Sequence, residues 1–315
     1  MNFLFILIFL TLVIAAFLVV FTQRTARRVE AVLPPLGQFV DVPGARMHVV
    51  DQGRGPTVLL IHGLAGQMGH FTYGLVDQLA SDCRVIAVDR PGSGYSVRTP
   101  GAGANLNAQA DVMAALIREM KLEKVLVVGH SLGGAVALAL AQRHPELVCG
   151  LALLAPLTHA PKKVSPAFKG LMFTRNWSQQ LVAWTLALPL TISKSQQILA
   201  FAFGPEAVPA DYALRGGGLL SARPSQFIAA CQDLAAVEQD LPEMEAAYAR
   251  MRLPVSVLYG RGDRILNPGE QGQALVNALP GVQLTLIEGG HMLPVTLPHL
   301  CADFVRATLK RVHNA

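Results

Sequence analysis

The chain has 315 residues, a formal net charge of +5 and only 15% charged side chains, while 52% of its residues are apolar. Nineteen of the first 21 residues are apolar, and the rest of the chain is roughly 49% apolar, an ordinary globular share. These values exclude a disordered chain, a collagen-like chain and a protein with many membrane spans; the thin scatter of basic residues lacks the stripe that a phosphate backbone needs, so nucleic acid is not an expected partner.

Phe3 to Phe21 would form a helix roughly 28 Å long, about one hydrocarbon core. The run is longer than a usual signal-peptide core, and no Lys or Arg precedes it. The sequence after Phe21, Thr22-Gln23-Arg24-Thr25-Ala26-Arg27, offers no clear small-x-small cleavage site. The expectation is an uncleaved single-pass transmembrane anchor over 1–22 and a juxtamembrane linker over 23–37, stiffened near its end by Pro34-Pro35; in a bacterium the membrane would be the inner one. Arg24, Arg27 and Arg28 favour a cytoplasmic domain by the positive-inside tendency. A large downstream domain crosses a membrane regardless of one such cluster, so the side stays open.

Beyond the linker, short β-branched runs alternate with helical stretches. Met47–Val50 and Thr57–Ile61 read as an early pair of strands joined by a Gly/Pro-rich turn. Arg84–Val88 and Lys124–Val128 are near-continuously apolar, as in buried parallel sheets. Between them Asn105–Met120 has helical spacing, with Leu106, Ala110, Met113, Ile117 and Met120 on one side. Gly150–Leu154, Val255–Tyr259 and Gln283–Ile287 continue the strands, with helices at Ala135–Gln142, Ala274–Leu279 and Leu300–Val312. Strands alternating with helices predict an α/β fold, a mostly parallel sheet covered on both faces. From Leu157 to about Arg252 no strand is convincing, and so long an interval reads as a helical subdomain rather than a connection. The predicted layout is a core over 38–156 and 253–315 interrupted by 157–252. Cys83, Cys149, Cys231 and Cys301 are scattered, without a C-x-x-C pair, and read as isolated thiols.

One motif carries chemistry. Gly129-His130-Ser131-Leu132-Gly133 follows a predicted strand and precedes a predicted helix, which is the setting of a nucleophile elbow. A sharp turn there lifts a serine hydroxyl above the sheet, and flanking glycines leave it room. The chain therefore resembles the α/β-hydrolase-fold serine hydrolases of esterase and lipase type, over roughly Gln38 to His313. Four further motifs support the resemblance: His62-Gly63-Leu64 after an early strand, Asp89-Arg90-Pro91-Gly92-Ser93-Gly94-Tyr95-Ser96, Gly260-Arg261-Gly262-Asp263, and Gly289-Gly290-His291.

The resemblance implies a triad of Ser131, Asp263 and His291. His291 would activate the Ser131 hydroxyl, and Asp263 would fix the tautomer of His291. It also implies an oxyanion hole from the backbone N–H groups of Leu64 and Leu132. Such a set needs no metal and no organic cofactor. His62 reads as a brace for the oxyanion loop, His130 as a packed neighbour of the nucleophile, and Asp89 as a loop-shaping acid. Glu288 reads as strand edge, and His299 and His313 as solvated.

The resemblance further implies that 157–252 caps the active site. Trp177 and Trp184, seven residues apart, share one helical face, and with Phe173 they are candidate pocket residues. The alternatives are that the stripe packs the cap onto the core or dips into a bilayer. The expected activity is hydrolysis of carboxylic esters through an acyl-enzyme, with lipid or (lyso)phospholipid esters among the substrates. Serine-dependent C–C bond hydrolases and acyltransferases share the triad. Epoxide hydrolases use a carboxylate nucleophile, which Ser131 argues against, and non-catalytic relatives lack part of the triad.

Overall fold

The computed structural model describes residues 2–163 and 165–314. Its strands are β1 (Gln38–Val42), β2 (Ala45–Gln52), β3 (Thr57–Ile61), β4 (Arg84–Val88), β5 (Val97–Arg98), β6 (Val125–His130), β7 (Val148–Leu154), β8 (Val255–Gly260) and β9 (Gln283–Ile287). They form one sheet in the order β1-β2-β4-β3-β6-β7-β8-β9, with β5 paired to β2. Pairs involving β2 are antiparallel, and all others are parallel. The sequence VLVVGH of β6 is buried throughout because helices cover both faces of the sheet.

Counting helices of eight residues or more, these are α1 (Asn2–Val32), α2 (Leu106–Glu119), α3 (Leu132–Arg143), α4 (Asn176–Trp184), α5 (Ala187–Phe203), α6 (Pro224–Ala247) and α7 (Pro298–His313). Leu106, Ala110, Met113 and Ile117 of α2 are buried, as their spacing predicts. Helix α3 is apolar on all sides because it runs inside the molecule, between the sheet, α2 and α6. A second core on the opposite face packs α7 and the short helices of 69–79 against the sheet.

Three readings need correction. Strands β2 and β3 are not partners: β4 lies between them, a crossover that no local signal announces. The polar edge strands β1 and β5 lie outside the sequence expectation because their residues are largely exposed and lack an apolar run. The stretch called linker is mostly helix. Residues 23–32 continue α1, and Pro34 falls where the helix has ended.

Among the described residues, the interval between β7 and β8 contains helices and turns but no strand, as expected. Its helix α6 packs against α2 and α3. Its outer side exposes Met172, Trp177, Leu181, Leu186, Leu190 and Ile192, each at least half accessible. Helix α1 is the one described helix long and apolar enough to cross a membrane, and no residue of its most apolar stretch is buried. Its far end is docked: Thr22 and Val29 are buried, and Arg223 Nε donates to Glu30 Oε1 at 2.9 Å. The Tyr95 hydroxyl donates to the Leu33 carbonyl, and His48 bridges Asp89 and the Leu36 carbonyl. All four cysteines are free thiols.

Candidate active site

Ser131 sits between β6 and α3 with φ 55° and ψ −122°, in the left-handed half of backbone space that serine rarely enters. The turn is over-determined. Ser131 N donates to Leu154 O at 3.1 Å, and Ser131 O accepts from Gly134 N at 2.8 Å and Leu157 N at 2.9 Å. The motif glycines are sterically required. A Cβ on Gly133 would lie 2.1 Å from Ile61 O, and one on Gly129 would lie 2.4 Å from Gly133 O.

Asp263 and His291 come from the ends of β8 and β9. His291 Nδ1 donates to Asp263 Oδ2 at 2.7 Å, and both side chains are buried. Asp263 Oδ1 accepts from the backbone N–H groups of Ile265 (2.8 Å) and Leu266 (2.9 Å), so the carboxylate is fixed at both oxygens. His130 Nε2 donates to the His291 carbonyl at 2.9 Å, and the two rings lie 5.0 Å apart. That contact seats His291 beside the elbow. Among the described residues, Ser131 Oγ has no hydrogen-bond partner.

The loop after β3 lies against the serine: a Cβ built on Gly63 would be 3.3 Å from Ser131 Oγ. His62 is completely buried and donates Nδ1 to Gly63 O at 2.8 Å, while its Nε2 accepts the Arg90 backbone N–H at 2.9 Å. Burial, and then the Arg90 charge, hold its pKa well below that of free imidazole, so it stays neutral. Asp89 shapes its own loop, accepting from Met68 N and Tyr95 N at 2.8 Å each. Glu288 is exposed, with only a 3.6 Å ion pair to Arg261.

An apolar cavity of about 60 Å³ opens above Ser131. Leu64, Leu132, Ile265 and Leu266 of the core line it, with Leu157, Phe168, Leu234 and Val237 from the insertion. Ser131, Leu64 and Leu132 are thus brought together at its base. The three proposed pocket aromatics are not. Trp177 is 64% exposed on the outer face, Trp184 lies beside α1 near Arg27 and Arg223, and Phe173 packs on Phe227 at 6.0 Å. Helical spacing identified their shared face but not which way it looks. Phe168, Leu234 and Val237 carry no sequence signal, because wall positions on a helix resemble any other apolar positions. Glu206 was also invisible in sequence: its carboxylate accepts the Gly290 N–H at 3.0 and 3.1 Å, tying the insertion to the histidine loop. Among the described residues, no cluster of His, Cys, Asp or Glu is placed to hold a metal ion.

Known proteins resemble this chain in sequence and fold. An uncharacterized protein of Mycobacterium tuberculosis is 32% identical over 283 residues, 86% of this chain and 80% of its own. A structure described as a membrane phospholipase A and bacterial virulence factor aligns over 100% of this chain and 99% of its own, with TM-score 0.71 and 26% identity. A thermophilic esterase from Thermogutta terrifontis aligns over 88% of this chain and 100% of its own, with TM-score 0.70 and 26% identity. The family profile described as alpha/beta hydrolase fold matches residues 56–296, well over half of the sequence, and the chain belongs to that family.

Proposed function

We propose that this chain is a membrane-anchored serine hydrolase that cleaves carboxylic esters, lipid-like ones in particular. The observation that carries the reading is the buried Asp263–His291 pair seated beside a serine held in a strained elbow. In this mechanism His291 Nε2 takes the Ser131 proton as Oγ attacks the ester carbonyl. The imidazolium, steadied by Asp263, returns that proton to the departing alcohol. Water then attacks the acyl-enzyme by the same route and releases the acid. The N–H groups of Leu64 and Leu132 hold the oxyanion; neither has a protein acceptor among the described residues.

The lipid preference is supported by the apolar cavity and by the exposed apolar side of α4 and α5, which lies near the apolar helix α1. The full-length likeness to a membrane phospholipase A supports it as well. In this reading 1–22 anchor the protein, and 157–252 cap the cavity and rest that apolar side on the bilayer. Incubating the full chain in detergent micelles with a fluorophosphonate probe is expected to label Ser131, and Ser131→Ala is expected to abolish labelling. Turnover of p-nitrophenyl esters should rise from acetate toward octanoate and longer. Undiminished labelling or turnover by Ser131→Ala sinks the mechanism, and a preference for acetate sinks the lipid assignment.

A further inference from the structure

The Gly63 carbonyl and the Leu64 N–H belong to one planar peptide unit and point in opposite directions. Whatever fixes the Gly63 oxygen therefore also aims the Leu64 N–H. Three donors converge on that oxygen: His62 Nδ1 at 2.8 Å, Arg90 Nη2 at 3.0 Å and Gly66 N at 3.3 Å. Arg90 Nε donates to the preceding carbonyl, His62 O, at 2.9 Å. One guanidinium thus braces two successive peptides of the loop that faces Ser131.

This guanidinium is wholly buried, an arrangement costly without a counter-charge. The counter-charge comes from the insertion. Asp233 of α6, also buried, accepts Arg90 Nη1 on Oδ2 at 2.7 Å, and its Oδ1 accepts Arg98 Nη2 at 2.5 Å. Gln109 Oε1 accepts from Arg90 Nη1 at 2.7 Å. Next along α6 stand Leu234 and Val237, which form the cavity wall. A continuous path therefore runs from that wall through Asp233, Arg90 and the Gly63 oxygen to the Leu64 N–H.

We propose that Arg90 is a positioning residue for the Leu64 oxyanion donor, and that Asp233 makes this positioning depend on α6 being seated on the core. The inference rests on the serine-hydrolase reading. Its physical content is that an acyl chain pressing on Leu234 and Val237 seats the same helix that aims the oxyanion donor. A filled cavity then raises turnover rather than affinity alone. The Arg90 hydrogen bond also polarises the Gly63–Leu64 peptide and makes its N–H a stronger donor.

The test uses the full chain in micelles with three variants: Asp233→Asn, Arg90→Lys and Arg98→Gln. The last removes a cation that touches Asp233 but not the Gly63 carbonyl. Asp233→Asn is expected to retain complete Ser131 labelling at the end point. Its kcat for p-nitrophenyl octanoate is expected to fall about 10- to 100-fold with KM within about threefold, short of removing an oxyanion donor altogether. Binding of an alkylboronic acid, which forms a tetrahedral adduct on serine, should weaken by a similar factor. Arg98→Gln should stay within about threefold of the parent in kcat. A purely structural role for the pair would lower the melting temperature and the active fraction without moving kcat per labelled site. Unchanged kcat and boronate affinity in folded Asp233→Asn overturn the proposal, and so does Arg98→Gln matching Asp233→Asn in its loss of kcat. If Arg90→Lys does not fold, Asp233→Asn decides alone. Failure of the parent to label at Ser131 refutes the underlying mechanism instead, a distinct outcome.

Discussion

Strands β3, β4, β6, β7 and β8 bury nearly every side chain, and their cohesion grows with apolar area, about 1.5–3 kcal/mol for each fully buried Val, Leu or Ile. The insertion between β7 and β8 turns Trp177, Leu181, Leu190 and Ile192 outward and is fastened to the core by directed polar contacts as well as packing. Gln226 reaches the Gly66 carbonyl and the Gly94 N–H, and Asp240 accepts from Asn105 and from the Asn107 backbone. Gln67 holds the Gly216 carbonyl at 2.6 Å, and Glu206 and Asp233 complete the seam. Area-driven cohesion is non-directional, whereas a hydrogen bond also depends on angle and weakens steeply when its partners turn out of line. The seam is therefore where a local change reaches chemistry without unfolding the sheet.

The strongest way to break this contrast is within the core itself. Asp263→Asn should lower kcat about 10⁴-fold by leaving His291 in the wrong tautomer, with the melting temperature nearly unchanged because the asparagine oxygen can still accept from Ile265 and Leu266. Ester hydrolysis beside a thermal melt checks it. A melt that collapses in parallel would mean that the site and the sheet are not separable.

Acid should strike the seam next. Burial holds His62, His70 and His130 below the free-imidazole pKa, with His291 further lowering His70 and His130; His70 is brought to about 4. His70 contacts the Tyr212 hydroxyl of the insertion at 3.0 Å. The unfolded chain takes up protons near pH 6.5 while the folded chain does not, so stability is complete above that pH and falls below it. The expected slope between pH 6.5 and 4 is about 1.4 kcal/mol per pH unit for each such histidine. Urea unfolding at pH 7.5, 6 and 5 measures it, and a flat response would show that these imidazoles are not buried neutral.

The smallest effect on stability is expected on the outer face. Leu181→Ser with Leu190→Ser should change unfolding free energy by less than about 1 kcal/mol, since both side chains are at least half exposed. Turnover of a long-chain ester in vesicles should fall about three- to tenfold, while a soluble butyrate ester is unaffected. Equal loss on both substrates would turn this face from a lipid contact into a structural one.

Legibility in the sequence follows the same division. The elbow was readable because Gly129 and Gly133 are forced by backbone contacts, and a forced residue leaves a motif. Asp263 and His291 were readable because each ends a strand at a glycine-marked loop. Arg90 lay inside a recognised motif, yet its partner Asp233 sits 143 positions away on a helix whose pattern distinguishes no buried acid. The placing of β4 between β2 and β3 was unreadable for the same reason: it is a long-range choice made by packing. The tryptophans show the limit most clearly, since periodicity reports a face and only tertiary structure reports what that face meets.

The docked end of α1 has a geometric consequence. Residues 23–32 extend the apolar helix by about 15 Å, and Glu30 with Arg223 and the Leu33 carbonyl with Tyr95 clamp that extension to the globular part. Under the proposed anchoring, the helix would act as a rigid post rather than a tether and would set the height and tilt of the cavity mouth over the bilayer. A helix turns 100° per residue. One residue added between Gln23 and Arg28 would therefore turn the buried Thr22 by about 100° relative to the Glu30 and Leu33 clamps, so that both ends of the extension could no longer dock together.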